Sequence, residues 1–261
     1  MAKRWWNARQ FDLVEVALLG LFVGFVVFIS MPRPPPPPAE ATDLQNTYGP
    51  DRHSENEEEW IIRDFFKDRR GGFFVDVGAS HYRANSNTYY LEHRLEWSGL
   101  AIEPFRHFEA DYALHRPNTR FLPFFVSDES DVRVKLYTHG ENFLGNSSDR
   151  AFVERFGDNP QEFVAPTITL NDLFERENVV TVDFISMDIE LSEPKALAGL
   201  DIWRYRPALV CVEAHPEVRQ QILDYFASHD YVVVGKYLRA DEKNLYFTPL
   251  MDQQPSGASP D

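Results

Sequence analysis

The stretch Phe73-Phe74-Val75-Asp76-Val77-Gly78-Ala79-Ser80 decides the fold. Strand-forming residues run into a glycine, and the polar segment Asn85-Ser86-Asn87-Thr88 follows before a helical pattern begins. Strand, glycine turn and helix in this order open a doubly wound sheet, where ligands bind beyond the carboxyl ends of the strands. Gly78 lets the backbone approach such a ligand closely, and Ser86 or Asn87 is placed to cap the helix.

Outward from this turn, apolar runs at 100–103, 121–126, 182–187, 208–213, 231–234 and 245–248 read as further strands. Helical periodicity separates them at 87–96, 105–115, 170–176, 193–200 and 217–228. The alternation predicts an α/β, doubly wound, Rossmann-like domain with a sheet of about seven strands over 60–250. Only the polar stretch 236–244 lies between the last two strands, which implies an antiparallel hairpin at the end. Residues 138–166 mix Gly, Asn and Ser with Phe143, Phe152, Phe156 and Phe163, so they read either as a partly ordered lid or as a surface excursion. The tail 251–261 reads as frayed.

Before the domain, residues 13–31 form an almost unbroken apolar run, close to the roughly 20 residues that cross a bilayer as a helix. Glu15 lies within one turn of its start, and Trp5 and Trp6 in the segment 1–12 suit a membrane interface. A single-pass anchor is the reading. A cleaved signal peptide is the alternative, although Ala39-Glu40-Ala41, the A-x-A-like site, lies well past the run. Residues 32–59, with Pro34 to Pro38 and then an acidic stretch, read as a stalk and linker.

The chain has 261 residues and a formal net charge of −15 with few basic clusters, which opposes nucleic-acid binding. Its one cysteine, Cys211, sits in the apolar run Leu209-Val210-Cys211-Val212 and reads as a buried strand residue. No intrachain disulfide or thiol zinc cluster can form.

Glu103 ends the second strand, Leu100-Ala101-Ile102-Glu103-Pro104, where a carboxylate can accept both hydroxyls of a ribose. Val77-Gly78-Ala79-Ser80-His81-Tyr82 lacks the later glycines that admit a pyrophosphate, so NAD and FAD are disfavoured. S-adenosylmethionine is a ribose cofactor without a pyrophosphate.

The segments Asp76-Val77-Gly78-Ala79, Ser86-Asn87-Thr88, Trp97-Ser98-Gly99-Leu100, Ile102-Glu103-Pro104 and Met187-Asp188-Ile189-Glu190 together resemble the FkbM family of methyltransferases. The resemblance implies a class I methyltransferase sheet, S-adenosylmethionine as cofactor, and O-methylation of hydroxyls, often on sugars or natural products. It places Asp76, Gly78 and Ala79 at the methionine end of the cofactor, Glu103 on the ribose and Ser127-Asp128 beside the adenine. Asp128 reads equally well as an acidic loop residue. Two positions depart from the family pattern: Leu191 stands where a glycine is usual, and Tyr82 where a small residue is.

Methyl transfer to a hydroxyl needs an aligned acceptor and a base. Asp188, Glu190 and Glu193 crowd the end of the fourth strand, and Glu213 and His215 end the fifth. Asp188, Glu190, Glu213 and His215 are the catalytic candidates, while His81 in the first turn is a weaker one. Capping or plain surface exposure before Pro216 is the alternative for His215. Nothing in the spacing demands a metal. The expected activity is O-methylation of a glycan, lipid-linked sugar or small metabolite, with a degenerate binding or scaffold protein as the alternative and a dehydrogenase as a weaker third.

The side of the membrane is left open. Lys3, Arg4 and Arg9 precede the apolar run and Arg33 alone follows closely, which puts the domain outside the cytoplasm. Cofactor supply favours the cytosol instead. Asn146-Ser147-Ser148 matches a glycosylation acceptor, which matters only in a eukaryotic lumen and is read as a chance match.

Overall fold

The computed structural model describes residues 41–140 and 145–250. The expected anchor at 13–31, the segment 1–12 and the tail 251–261 lie outside the described residues. Among the described residues, no helix is long and apolar enough to cross a membrane.

Seven strands form one sheet in the order β3-β2-β1-β7-β8-β10-β9. They are β1 (Phe73–Val77), β2 (Ser98–Ile102), β3 (Thr119–Leu122), β7 (Phe184–Met187), β8 (Leu209–Glu213), β9 (Tyr231–Val233) and β10 (Asn244–Pro249). The first five run parallel, whereas β10 is antiparallel to both β8 and β9. The sheet order turns outward on either side of β1 and β7, and this is where a doubly wound sheet opens its cleft.

Side chains alternate across the sheet as the two-residue period requires. Val75, Val77, Ile185, Met187, Val210 and Val212 pack on one face, with the helices Leu170–Arg176 and Arg219–Ser228. Phe74, Phe184, Leu209, Cys211 and Tyr246 pack on the other, with the helices Glu58–Phe66 and Tyr89–Leu95. Both faces are covered, so the central strands are apolar on both faces apart from Asp76 in β1 and Ser186 in β7. Cys211 is buried and free.

Two features differ from the sequence expectation. The run 121–126 is not one strand: β3 ends at Leu122, and β4 (Phe125–Val126) leaves the main sheet. It pairs in parallel with β6 (Gln161–Ile168), which is antiparallel to β5 (Arg133–Thr138). Pro123 interrupts the run, and a proline cannot donate to a ladder. Much of the segment expected to be a lid or excursion is thus a second, three-stranded sheet.

The packed body also reaches upstream of Trp60, into residues read as linker. The helix Ala41–Tyr48 buries Leu44 in the core, and Glu58 and Glu59 are buried despite their charge. Glu59 accepts hydrogen bonds from His53, and Glu58 from Asn56 and Asn244. Those partners are what allow two carboxylates to leave water.

Candidate functional site

A cavity of about 560 Å³ opens beyond the carboxyl ends of β1, β2, β7 and β8. Gly78, Asn87, Glu103, Asp188, Glu190, Glu213 and His215 all line it. These seven positions are spread over more than 130 residues of sequence, and the shared direction of parallel strands gathers them at one edge of the sheet.

Gly78 has a left-handed backbone, φ +85°, and a β-carbon there would lie 1.8 Å from the Asp188 carbonyl oxygen. Its N–H donates to the Ile102 carbonyl at 2.9 Å, and the Asp188 N–H donates to the Val77 carbonyl at 3.0 Å. Glu103 is 7% exposed and accepts from the N–H groups of Phe105 at 3.0 Å and Ser80 at 3.3 Å. Burial raises its pKa from 4.5 to about 7 against those two donors. A group with hydroxyl donors fits this carboxylate, because each oxygen retains an unused lone pair.

Of the other residues singled out, Asn87 lines the cavity whereas Asp76, Ala79, Ser86, Ser127 and Asp128 do not. Asp76 has the strand parity of Phe74, so its carboxylate faces the helix side, where Thr88 Oγ1 donates to it at 2.7 Å. Burial pushes it up to about 6. Ser86 is buried and accepts from the Tyr89 N–H at 3.1 Å as a helix cap. Asn87 donates to Ser186 Oγ at 2.9 Å. Ala79 is buried beside Tyr112. Ser127 donates to Asp128 at 2.9 Å; neither residue lines the cavity, and Asp128 is exposed. His81 accepts from the N–H groups of Arg83 and Ala84, which keeps it in its own turn.

At the other end of the cavity, His215 Nε2 lies 2.9 Å from Glu190 Oε2 and 3.0 Å from Glu213 Oε2. Asp188 opens into the cavity beside them. Desolvation first, and then Glu213, hold its carboxyl well above the usual range. Glu190 and Glu213 are each pushed up to about 8, by burial first and then by neighbouring acids. Burial lowers His215; the Glu217 charge opposes this, and Arg155 and Lys243 add to it.

The turn that carries these acids is left-handed at two consecutive residues, Glu190 at φ +50° and Leu191 at φ +74°. Leu191 therefore keeps the turn at the cost of strain that a glycine would not bear. Ser147 Oγ donates to the Glu190 carbonyl at 2.6 Å and holds the turn from the loop side. Asn146, the glycosylation-like residue, lines the cavity.

The sequence singled out the phenylalanines of 138–166 as part of a lid or surface excursion but not where each would pack. Asp149 caps the four-residue helix Arg150–Val153 and sets Phe152 against the His215 ring, 5.2 Å between centroids. Phe163 of β6 stacks on Phe105 at 4.4 Å and closes the small sheet over the end of β2. The run of phenylalanines was a visible signal, but its target depends on the long-range β4–β6 pairing. Glu58 and Lys243 also line the cavity, from segments far apart in sequence.

The family model of the methyltransferase FkbM domain matches residues 76–233. No curated protein matches the chain significantly. Among solved structures, it resembles a candidate RNA methyltransferase from Pyrococcus horikoshii at 12% identity and TM-score 0.39, covering 76% of this chain and 82% of that one. It also resembles a precorrin-6y C5,15-methyltransferase from Geobacter metallireducens at 10% identity and TM-score 0.38, covering 72% and 84% of the two chains. A candidate caffeoyl-CoA O-methyltransferase from Staphylococcus aureus aligns at 11% identity and TM-score 0.38, covering 91% and 99%. With the family match spanning most of the domain, and a glycine turn and buried Glu103 that suit the adenosyl group, this chain belongs to the FkbM methyltransferase family and uses S-adenosylmethionine.

Proposed function

We propose that the chain is an O-methyltransferase, held at a membrane by residues 13–31, that acts on a hydroxyl of an acceptor without phosphate groups, such as a neutral glycan. The observation that carries the oxygen assignment is His215 Nε2 lying between the carboxylates of Glu190 and Glu213 in the cavity that also contains Gly78 and Glu103. An alcohol is a weak nucleophile until its proton leaves, whereas an amine, once neutral, attacks through its own lone pair. A cavity furnished with several proton acceptors suits the alcohol.

When bound, S-adenosylmethionine supplies a methyl group on a positively charged sulfur. Gly78 and Glu103 hold the adenosyl end. The cluster of Glu190, Glu213 and His215, with Asp188 beside it, orients the acceptor hydroxyl and takes its proton. The acceptor oxygen, relieved of its proton by this cluster, would then be ready to receive the methyl group.

The acceptor class follows from the walls. Acidic side chains outnumber Arg219 and Lys243 along the walls, and Lys243 is already paired with Glu55, so the cavity offers few cations to a phosphorylated acceptor. Phe152 and Phe156 offer apolar surface to the face of a sugar ring.

Methyl-labelled cofactor, incubated with the full chain and a panel of neutral glycans, phosphorylated sugars and amines, tests this reading. Label on glycan oxygen is expected, and label on amines alone would overturn it. The strained Leu191 favours a second reading, a binding protein on an inactive methyltransferase fold, which predicts cofactor binding with no transfer to any acceptor. Recovery of the chain in the membrane fraction, released by detergent but not by salt, checks the anchor.

A further inference from the structure

We propose that Glu190, Glu213 and His215 form a site for one divalent first-row cation, of the manganese or zinc type. The inference rests on the proposed function only in placing this cluster where the acceptor enters.

The three side chains each offer a ligand atom, and these atoms lie within 4.8 Å of one another. His215 Nε2 is 2.9 and 3.0 Å from the two carboxylate oxygens. Adjacent ligands on an octahedral ion with bonds of about 2.1 Å stand about 3 Å apart, so the spacing suits a shared ion. Hydrogen bonding alone does not account for the arrangement. One imidazole nitrogen serves one carboxylate well, and the hydrogen bond goes to Glu190. Glu213 Oε2 is shielded from solvent and has no hydrogen-bond partner.

Three residues after Glu190, another buried carboxylate oxygen also lacks a partner. Glu193 is fully buried and its Oε1 accepts from the Ile189 N–H, but its Oε2 has no partner. The lysine that lines the cavity beside these acids, Lys243, is held by Glu55 at 3.0 Å. Dry, unpaired carboxylate oxygens are costly unless a proton or a cation meets them.

The donor set selects the ion. Two carboxylates and one imidazole suit manganese or zinc, whereas magnesium and calcium favour oxygen throughout. Three protein ligands leave positions for water and an acceptor oxygen. The ligands are also rigidly placed, because Glu190 follows β7, Glu213 ends β8 and Phe152 packs on the His215 ring. Neutral His215 would then give its Nε2 lone pair to the ion.

The test uses the full chain in detergent, freed of metal by a chelator and titrated with manganese chloride and, separately, zinc chloride by calorimetry. Electron paramagnetic resonance follows bound manganese. The expected result is one ion per chain, with affinity falling by at least about tenfold in His215→Ala and Glu190→Gln, while S-adenosylmethionine affinity in both variants changes little. Absence of stoichiometric binding of either ion in wild-type chain that still binds S-adenosylmethionine would overturn the site. Equal metal affinity in wild type and His215→Ala would overturn it as well. The two readings fail separately: methyl transfer to hydroxyls that is indifferent to chelator counts against the metal alone, and stoichiometric metal binding without such transfer supports the metal and counts against the O-methyltransferase.

Discussion

Gly78 and Asp188 meet backbone to backbone across the two central strands, so close that a β-carbon on Gly78 would stand 1.8 Å from the Asp188 carbonyl oxygen. The glycine turn after β1 and the acidic end of β7 are therefore one rigid unit. Gly78→Ala adds both this clash and a left-handed strain, and is expected to cost roughly 3 kcal/mol or more. Thermal denaturation and cofactor calorimetry check this, and an alanine variant with unchanged stability and affinity would contradict the contact.

Glu103 makes stability depend on pH. Its folded-state pKa is raised from 4.5 to about 7, so folding favours its protonated form. The stability it contributes is complete below pH 4.5 and is lost as pH rises through 7. Its share is up to about 3 kcal/mol, and Asp76, raised to about 6, acts in the same direction. The apo chain should melt at a lower temperature at pH 8 than at pH 5, and Glu103→Gln should flatten the difference. A melting temperature that rises over this range would refute the assignment.

Glu103→Ala should also weaken S-adenosylmethionine binding by about tenfold to a hundredfold, the value of hydrogen bonds to a charged group. Calorimetry at pH 8 gives the clearest reading, because the carboxylate is then ionised. Unchanged affinity in a folded variant would remove Glu103 from the ribose.

Behind the first turn, the fully buried Arg116 pairs with buried Glu92, donates to the Tyr82 carbonyl at 2.8 Å and reaches Thr88 Oγ1 at 3.1 Å. Thr88 in turn holds Asp76. Arg116→Met should destabilise by about 3 to 5 kcal/mol, because it strands the Glu92 charge. Adding Glu92→Met should recover a large part of the loss, as a double-mutant cycle would show. A second substitution that merely adds to the first would argue against the pairing.

Asp188→Asn should lower turnover by about a hundredfold or more while leaving stability close to wild type. Asparagine resembles the protonated acid that the raised pKa of Asp188 favours, so the fold loses little. Single-turnover transfer with labelled cofactor checks the rate, and a fully active variant excludes Asp188 from the chemistry.

What the sequence by itself determined is the local part: the β1 strand and its Gly78 turn, the apolar central strands, the helix at 170–176, the closing hairpin, and the acids at the ends of β7 and β8. Each rests on periodicity or on a residue at a strand end, and parallel strands bring their ends to one edge without further instruction. Tertiary structure decided the rest. Asp76 turned away from the cavity because strand parity puts it on the face of Phe74, toward Thr88. Glu58 and Glu59 joined the packed body because Asn244 and His53, distant or flexible in sequence, supply their hydrogen bonds. The aromatic wall and the approach of His215 to both Glu190 and Glu213 needed strand pairings that span tens of residues. Such contacts depend on which segments meet, and a single chain's pattern of apolar and polar residues carries no record of that choice.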